Sequence, residues 1–170
     1  MKRLVYTILA IAIIVSLASC SNTEDKLRKR AGELCQYIPD HELLEQSRDY
    51  MMPDFYAVLD TMFHYMPENE IMDHEWLYYF VTGNGGTIAD YEVATIEQTD
   101  DTHAVAIINV RQKLEDGSFD SESDMEEHRL FMEKVNGSWL MSDFDGHKAE
   151  CIYYINNNRE EKAVNEFISN

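Results

Sequence analysis

The chain has 170 residues, 14 Lys and Arg against 32 Asp and Glu, and a formal charge of −18. That balance excludes a nucleic-acid-binding role, which needs a basic footprint, and excludes docking of the domain itself onto anionic lipid headgroups. At 45% hydrophobic residues, with no internal repeat or low-complexity tract, the chain can build a globular core.

Residues 1–19 stand apart from the fold. Lys2 and Arg3 precede a nearly all-apolar run from Leu4 to Leu17, and Leu17-Ala18-Ser19 leads into Cys20. This is the layout of a secretory signal peptide, too short for a bilayer span of about twenty residues. Leu-Ala-Ser-Cys looks like a bacterial lipobox, which predicts cleavage before Cys20 and acylation of that cysteine. Several acyl chains on one residue hold a protein on a membrane far better than one. About 150 residues remain, enough for one domain. The predicted organisation is a signal peptide over 1–19, a tether over 20–25, a domain over 26–146 and a C-terminal extension over 147–170.

From Asp25 to Ile38, Leu27, Ala31, Leu34 and Ile38 share a helical face and Pro39 ends the run. Lys26, Arg28, Lys29 and Arg30 occupy the other faces, where plain solvation is the expectation. Asp40 can cap a second helix to Tyr50, anchored by Leu43 and Leu44. Pro53 suits the first turn of a third, in which Phe55, Leu59, Met62, Phe63 and Met66 recur at helical spacing before Pro67. Residues 67–75 read as an acidic loop or a short helical turn, Trp76 to Val81 as an aromatic run, and Gly83 to Gly86 as a turn. The period then changes. Tyr91 to Glu97 and His103 to Lys113 read as strands joined at Asp100-Asp101, followed by an acidic loop from Leu114 to Glu126.

The next two strands, Glu127–Val135 and Ser138–Phe144, flank Asn136-Gly137, the strongest short hairpin signal because both turn residues need positive φ. A two-residue loop predicts a register that pairs Lys134 with Trp139, Met132 with Met141 and Leu130 with Asp143. The opposite face then carries Phe131, Val135, Leu140 and Phe144. After Asp145-Gly146 the tail is rich in Tyr and Asn, with a helix expected from Glu160 to Ile168. Helices followed by an antiparallel meander predict an α+β fold with the helices on one face.

The segments Tyr50 to Tyr56, Tyr91-Glu92-Val93 with Ala104-Val105-Ala106, and Val135 to Trp139 with Ser142-Asp143-Phe144 carry a resemblance. Over residues 40–146 the chain resembles the nuclear transport factor-like superfamily, and most of all its bacterial lipoproteins. The superfamily includes ketosteroid isomerases and polyketide cyclases. The resemblance implies a cone-shaped fold whose sheet and helices enclose a pocket, here lined by Trp139, Met141, Leu130, Met132, Phe55 and Leu59. A shared fold does not decide whether such a pocket is catalytic, ligand-binding or filled.

Asp143 is the candidate general base. The expected register sets it among apolar neighbours, where a carboxylate costs free energy unless paired. The alternative is a strand-end residue, solvated or capping a backbone turn. His128 falls opposite Asp145, one pair further out, and could orient or protonate a ligand; Tyr56 is a candidate phenol donor. The six histidines occur singly, never at zinc-site spacing, so neither a metal nor any other cofactor is predicted. Cys35 and Cys151 are an even pair in an oxidising compartment, available for a disulfide; the alternative is two separate buried thiols.

The expectation for function is an envelope lipoprotein, held on the membrane and most readily the outer one, facing periplasm or cell surface. Its domain would bind an envelope protein or a small apolar ligand. An isomerase or hydro-lyase acting through Asp143 and a structural module that homodimerises through its sheet are the alternatives.

Overall fold

The computed structural model describes residues 23–36, 44–66, 87–113 and 126–169, with the side chains of 91–111 and 126–159 in the two later stretches. The signal segment, Cys20, Ile38 to Leu43, the run around Trp76 and the acidic loop 114–125 lie outside the described residues. A helix over 23–35 (α1), a 3-10 helix Leu44–Tyr50 and a helix Pro53–Tyr65 (α2) come first. Strands Thr87–Gln98 (β1), His103–Lys113 (β2), Glu126–Val135 (β3) and Ser138–Phe144 (β4) follow, and helix His147–Ser169 (α3) comes last. The strands form one antiparallel sheet in the order β1-β2-β3-β4. This is the α+β meander the hydrophobic pattern predicts.

One sheet face is apolar because β-strand side chains alternate. Ala104, Ala106, Ile108 and Val110 of β2 and Leu130 and Met132 of β3 are all at most 3% exposed. Leu27, Ala31, Leu34 and Cys35 of α1 and Phe55, Leu59, Met62 and Phe63 of α2 join the same core. The predicted faces of both helices are the buried ones. Pro53 occupies the first turn of α2, where its missing N–H leaves no partner unsatisfied.

The hairpin keeps the predicted register only part of the way. Asn136 and Gly137 have φ of 51° and 85°, and pairing runs from Val135–Ser138 to Met132–Met141 as expected. A bulge then adds Ser142 to β4, so that Phe131 pairs with Asp143 and Leu130 with Phe144. Ser142 is 9% exposed and its hydroxyl donates to the Phe131 carbonyl at 3.2 Å. One inserted residue exchanges the two faces beyond it. Phe144, expected on the outer face, is fully buried, and Asp143 leaves the apolar face for the side of Phe131.

The basic residues of α1 do more than face water. Arg28 donates to the Val93 carbonyl of β1, and Arg30 Nε donates to the Trp139 carbonyl of β4 at 3.1 Å. Successive helical residues turn by about 100°, so residues two apart point to opposite sides and reach opposite edges of the sheet. Arg30 also donates to the Asp49 carbonyl and lies 3.9 Å from the Tyr50 ring centroid. Tyr91 of β1 donates its hydroxyl to Gly32 of α1 at 3.2 Å. Both sheet edges are blunted. The β1 register slips at Ala89 and Ala94, two bulges that spoil it as a template. On β4, Met52 N–H donates to the Met141 carbonyl at 2.8 Å beside a Met51–Met141 bridge.

The tail is helical from His147, well before the expected start at Glu160, and packs on α2 rather than lying outside the fold. Cys151 and Ile155 enter the core. Lys148 Nζ bonds Asp54 of α2 at 2.7 Å, which holds the Asp54 carboxyl below its ordinary value. Cys35 and Cys151 are free, not bridged. Burial pushes the Cys35 thiol up to about 12. Burial, reinforced by the Asp143 and Glu150 charges, pushes Cys151 to about 12 as well. Thiols this far from ionising are core-filling groups rather than nucleophiles.

Candidate functional site

The residues expected to line a pocket are closed core. Phe55, Leu59, Leu130 and Met141 are fully buried, Met132 is 1% exposed and Trp139 3%. Leu27, Ala31 and Leu34 of α1 complete the same buried hydrophobic core. Lys134, the cross-strand partner of Trp139, sets its ammonium 5.5 Å from that ring.

Asp143 is a turn-capping residue. Its Oδ1 accepts the Phe144 N–H at 2.7 Å and the Lys148 N–H at 3.0 Å, in the first turn of α3. A carboxylate there satisfies an otherwise unpartnered helix N–H and complements the positive end of the helix. The bulge is what brings it to this position. A general base among apolar neighbours is therefore not what Asp143 provides.

Tyr56 lies elsewhere, in a surface cleft of ≈ 310 Å³ lined by Arg48, Asp49, Met51, Pro53, Tyr56 and Leu140. Arg48 places its guanidinium 4.9 Å from the Tyr56 ring centroid, a cation–π contact at the cleft wall. The cleft forms where the chain entering α2 crosses the outer side of β4. It carries no local sequence signal, since Leu140 is remote in the chain from the other five.

His128 is the best-defined polar group. On β3 it sits on the helix-covered face, 9% exposed, paired across the sheet with Ile108. Its ring stacks on Phe144 with centroids 5.5 Å apart, and Phe144 stacks in turn on His147 at 6.3 Å. His128 Nδ1 lies 2.7 Å from Asp145 Oδ2. The expected His128–Asp145 contact therefore exists, but by a different route. Asp145 pairs through its backbone with Arg129, and its side chain reaches back to His128. Asp145 Oδ1 also accepts the Arg129 N–H at 2.6 Å. The position requires φ of 52° at Asp145 and 87° at Gly146, a left-handed pair that Asp and Gly tolerate. The other ring nitrogen, Nε2, is buried without a hydrogen-bond partner among the described residues and lies 3.9 Å from Glu126 Oε2. Sequence reasoning passed over Glu126.

Burial raises the Asp145 carboxyl, but the His128 hydrogen bond, the Arg129 N–H and the charges of His128 and His147 outweigh it and leave it below its ordinary value. A folded-state value below the unfolded one contributes stability present above about pH 3.9 and lost as pH falls through the folded value. Asp145→Asn keeps the left-handed turn but loses the charge-assisted bonds. It is expected to destabilise the domain by about 1–2 kcal/mol at pH 7, with the gap to the parent closing on acidification. Urea midpoints of both proteins at pH 7 and pH 3 measure this; a gap that is constant or widens toward acid refutes the assignment.

Among the described residues no three His, Cys, Asp or Glu side chains are grouped to hold a metal ion, and no helix is long and apolar enough to cross a membrane. Comparison with family models, with curated proteins and with solved structures found no match to this chain.

Proposed function

We propose that the chain is a lipid-anchored bacterial envelope protein whose domain binds a protein partner at its surface. The observation that carries the reading is the packed helix-covered face, with Leu27, Ala31 and Phe55 fully buried over the sheet. A core so filled directs binding outward. The outer sheet face keeps Phe131 and Val135 at 36% and 37% exposure, among the half-buried Val105, Ile107 and Leu140. Leu140 also walls the Tyr56 cleft, which makes strip and cleft neighbours on one side of the molecule.

Charge selects the kind of partner. Without Lys2 and Arg3 of the signal segment the formal charge of −18 becomes −20, and a second copy would bring the same charge against the first, so the homodimer reading is the less favoured. A partner with an apolar centre and a basic rim matches the surface. The isomerase reading rested on Asp143, which caps α3 instead. The nuclear transport factor-like kinship is proposed on the same order of helices before meander, and the outer membrane on the lipobox.

Photo-crosslinking residues placed at Leu140, at Phe131 and, as a control, at Tyr153 of α3 test the reading in intact cells. Expected is one heterologous adduct of fixed mass at Leu140 and Phe131, absent at Tyr153 and weakened by salt. An adduct of twice the chain's own mass restores the homodimer, and silence at both sheet positions refutes surface binding. For the anchor, Cys20→Ala is expected to move the protein from the membrane to the soluble fraction; unchanged membrane retention refutes it.

A further inference from the structure

We infer that the cleft between the 3-10 helix and β4 binds a free apolar α-amino acid, with its carboxylate on Arg48 and Tyr56 and its ammonium on Asp49. The inference goes beyond the protein-binding strip and does not rest on it: an adduct at Phe131 reports the protein partner whatever the cleft holds. Among the described residues, the side chains of Arg48, Asp49 and Tyr56 have no hydrogen bond or ion pair, and all three line the cleft. The other arginines differ: Arg28, Arg30 and Arg129 all donate to carbonyls or carboxylates. In a chain with 32 acidic residues, Arg48 instead lies over the Tyr56 ring, 4.9 Å from its centroid. Stacking uses a face of the guanidinium and leaves the N–H edge, a planar fork of donors that matches a carboxylate. The Tyr56 hydroxyl adds one more donor. Asp49 gives its carbonyl to Arg30 and keeps its exposed carboxylate as the one acceptor of charge.

The frame of the cleft is tied down before any ligand arrives. Met52 N–H donates to the Met141 carbonyl at 2.8 Å and Met51 bridges the same residue, so the chain entering α2 is fastened to β4. Arg30 fastens the other side, through the Asp49 carbonyl and the Tyr50 ring. Met51, Pro53 and Leu140 supply an apolar wall for a hydrocarbon side chain. Consecutive residues of a 3-10 helix diverge by about 120°, so Arg48 and Asp49 can receive opposite ends of one ligand. Charge then selects the class. A net anion approaches an acidic chain at a cost, and a net cation meets Arg48. A zwitterion satisfies both groups without either penalty. At ≈ 310 Å³ the cleft is at the lower end of the roughly 300–1,000 Å³ that ligand pockets span, which suits a molecule of amino-acid size.

Calorimetric titration of the full-length protein in detergent with L-leucine and L-phenylalanine tests the site. Expected is saturable binding of a single molecule per chain, weakened roughly 10-fold or more by Arg48→Gln and by Asp49→Asn. Tyr56→Phe keeps the ring under Arg48 and should weaken binding by about 3–10-fold. Arg129→Gln, on the exposed part of β3, should leave it unchanged. N-acetyl-leucine, leucinamide and serine, which lack the ammonium, the carboxylate and the apolar side chain in turn, should each bind roughly 10-fold more weakly than leucine. Arg48 and Asp49 are exposed, so their variants keep the fold and remain informative. Absence of leucine and phenylalanine binding at millimolar concentration overturns the inference. So does binding that Arg48→Gln and Asp49→Asn leave intact, or equal affinity for any of the three analogues.

Discussion

Phe144→Ala is expected to cost about 3–5 kcal/mol, the range for truncating a buried aromatic. The ring is fully buried, opposite Leu130 and between the His128 and His147 rings. Without the bulge at Ser142 the same ring would lie on the outer face with Phe131, and its removal would cost well under 1 kcal/mol. Denaturant unfolding of the variant therefore measures the register directly. A loss below about 1 kcal/mol would put Phe144 outside and restore Asp143 to the apolar face. The stacked histidines add a second signature. Loss of the ring should shift the proton resonances of both imidazoles, although they lie on different elements.

Leu27→Ala is expected to cost about 2–5 kcal/mol. Leu27 is fully buried although it lies near the start of the described chain, where fraying is the ordinary expectation. Arg28 and Arg30 on either side of it hold α1 to the two sheet edges. A helix serving only as a spacer would lose no more than about half a kcal/mol on this change. The urea midpoint decides, with an unchanged slope showing that native compactness is kept. A near-zero effect would detach α1 from the core and reopen the interior as a binding pocket.

Most of the fold was legible in the sequence because local chemistry and tertiary packing agree there. Pro53 and the stripe from Phe55 to Phe63 predict α2, and Asn136-Gly137 predicts the hairpin and its first pairs. The Ala-, Val- and Ile-rich run from His103 to Lys113 predicts β2, although a run apolar on both sides does not say which face is buried. The failures have physical causes. Ser142-Asp143, two polar residues in succession within an alternating strand, was the trace of the bulge. A register extrapolated from the turn passes over such a pair, and every face assignment beyond it inverts. The start of α3 was missed because its Tyr- and Asn-rich opening has weak helix propensity. The Asp143 cap, the Lys148–Asp54 pair and burial of Cys151 and Ile155 override that weakness. For the candidate sites, charge pattern showed Arg28 and Arg30 but not the carbonyls they reach. The aspartate paired with His128 was legible. The lone Nε2 was not, because an unsatisfied atom is a property of packing.

The position of α1 also sets a timetable for folding. Its last partner, Trp139, lies 109 residues further along the chain, and Val93 lies 65 residues beyond Arg28. At roughly 5–20 residues per second, synthesis leaves several seconds between the appearance of α1 and that of β4. During that interval Leu27, Ala31 and Leu34 have no sheet to cover, and long-range closure is slow even once the strands exist. The first helix made is thus among the last to find its place. Behind the apolar run of residues 4–17, the nascent chain thus carries a second unburied apolar stripe, Leu27, Ala31 and Leu34, for a holding chaperone to cover until the strands arrive.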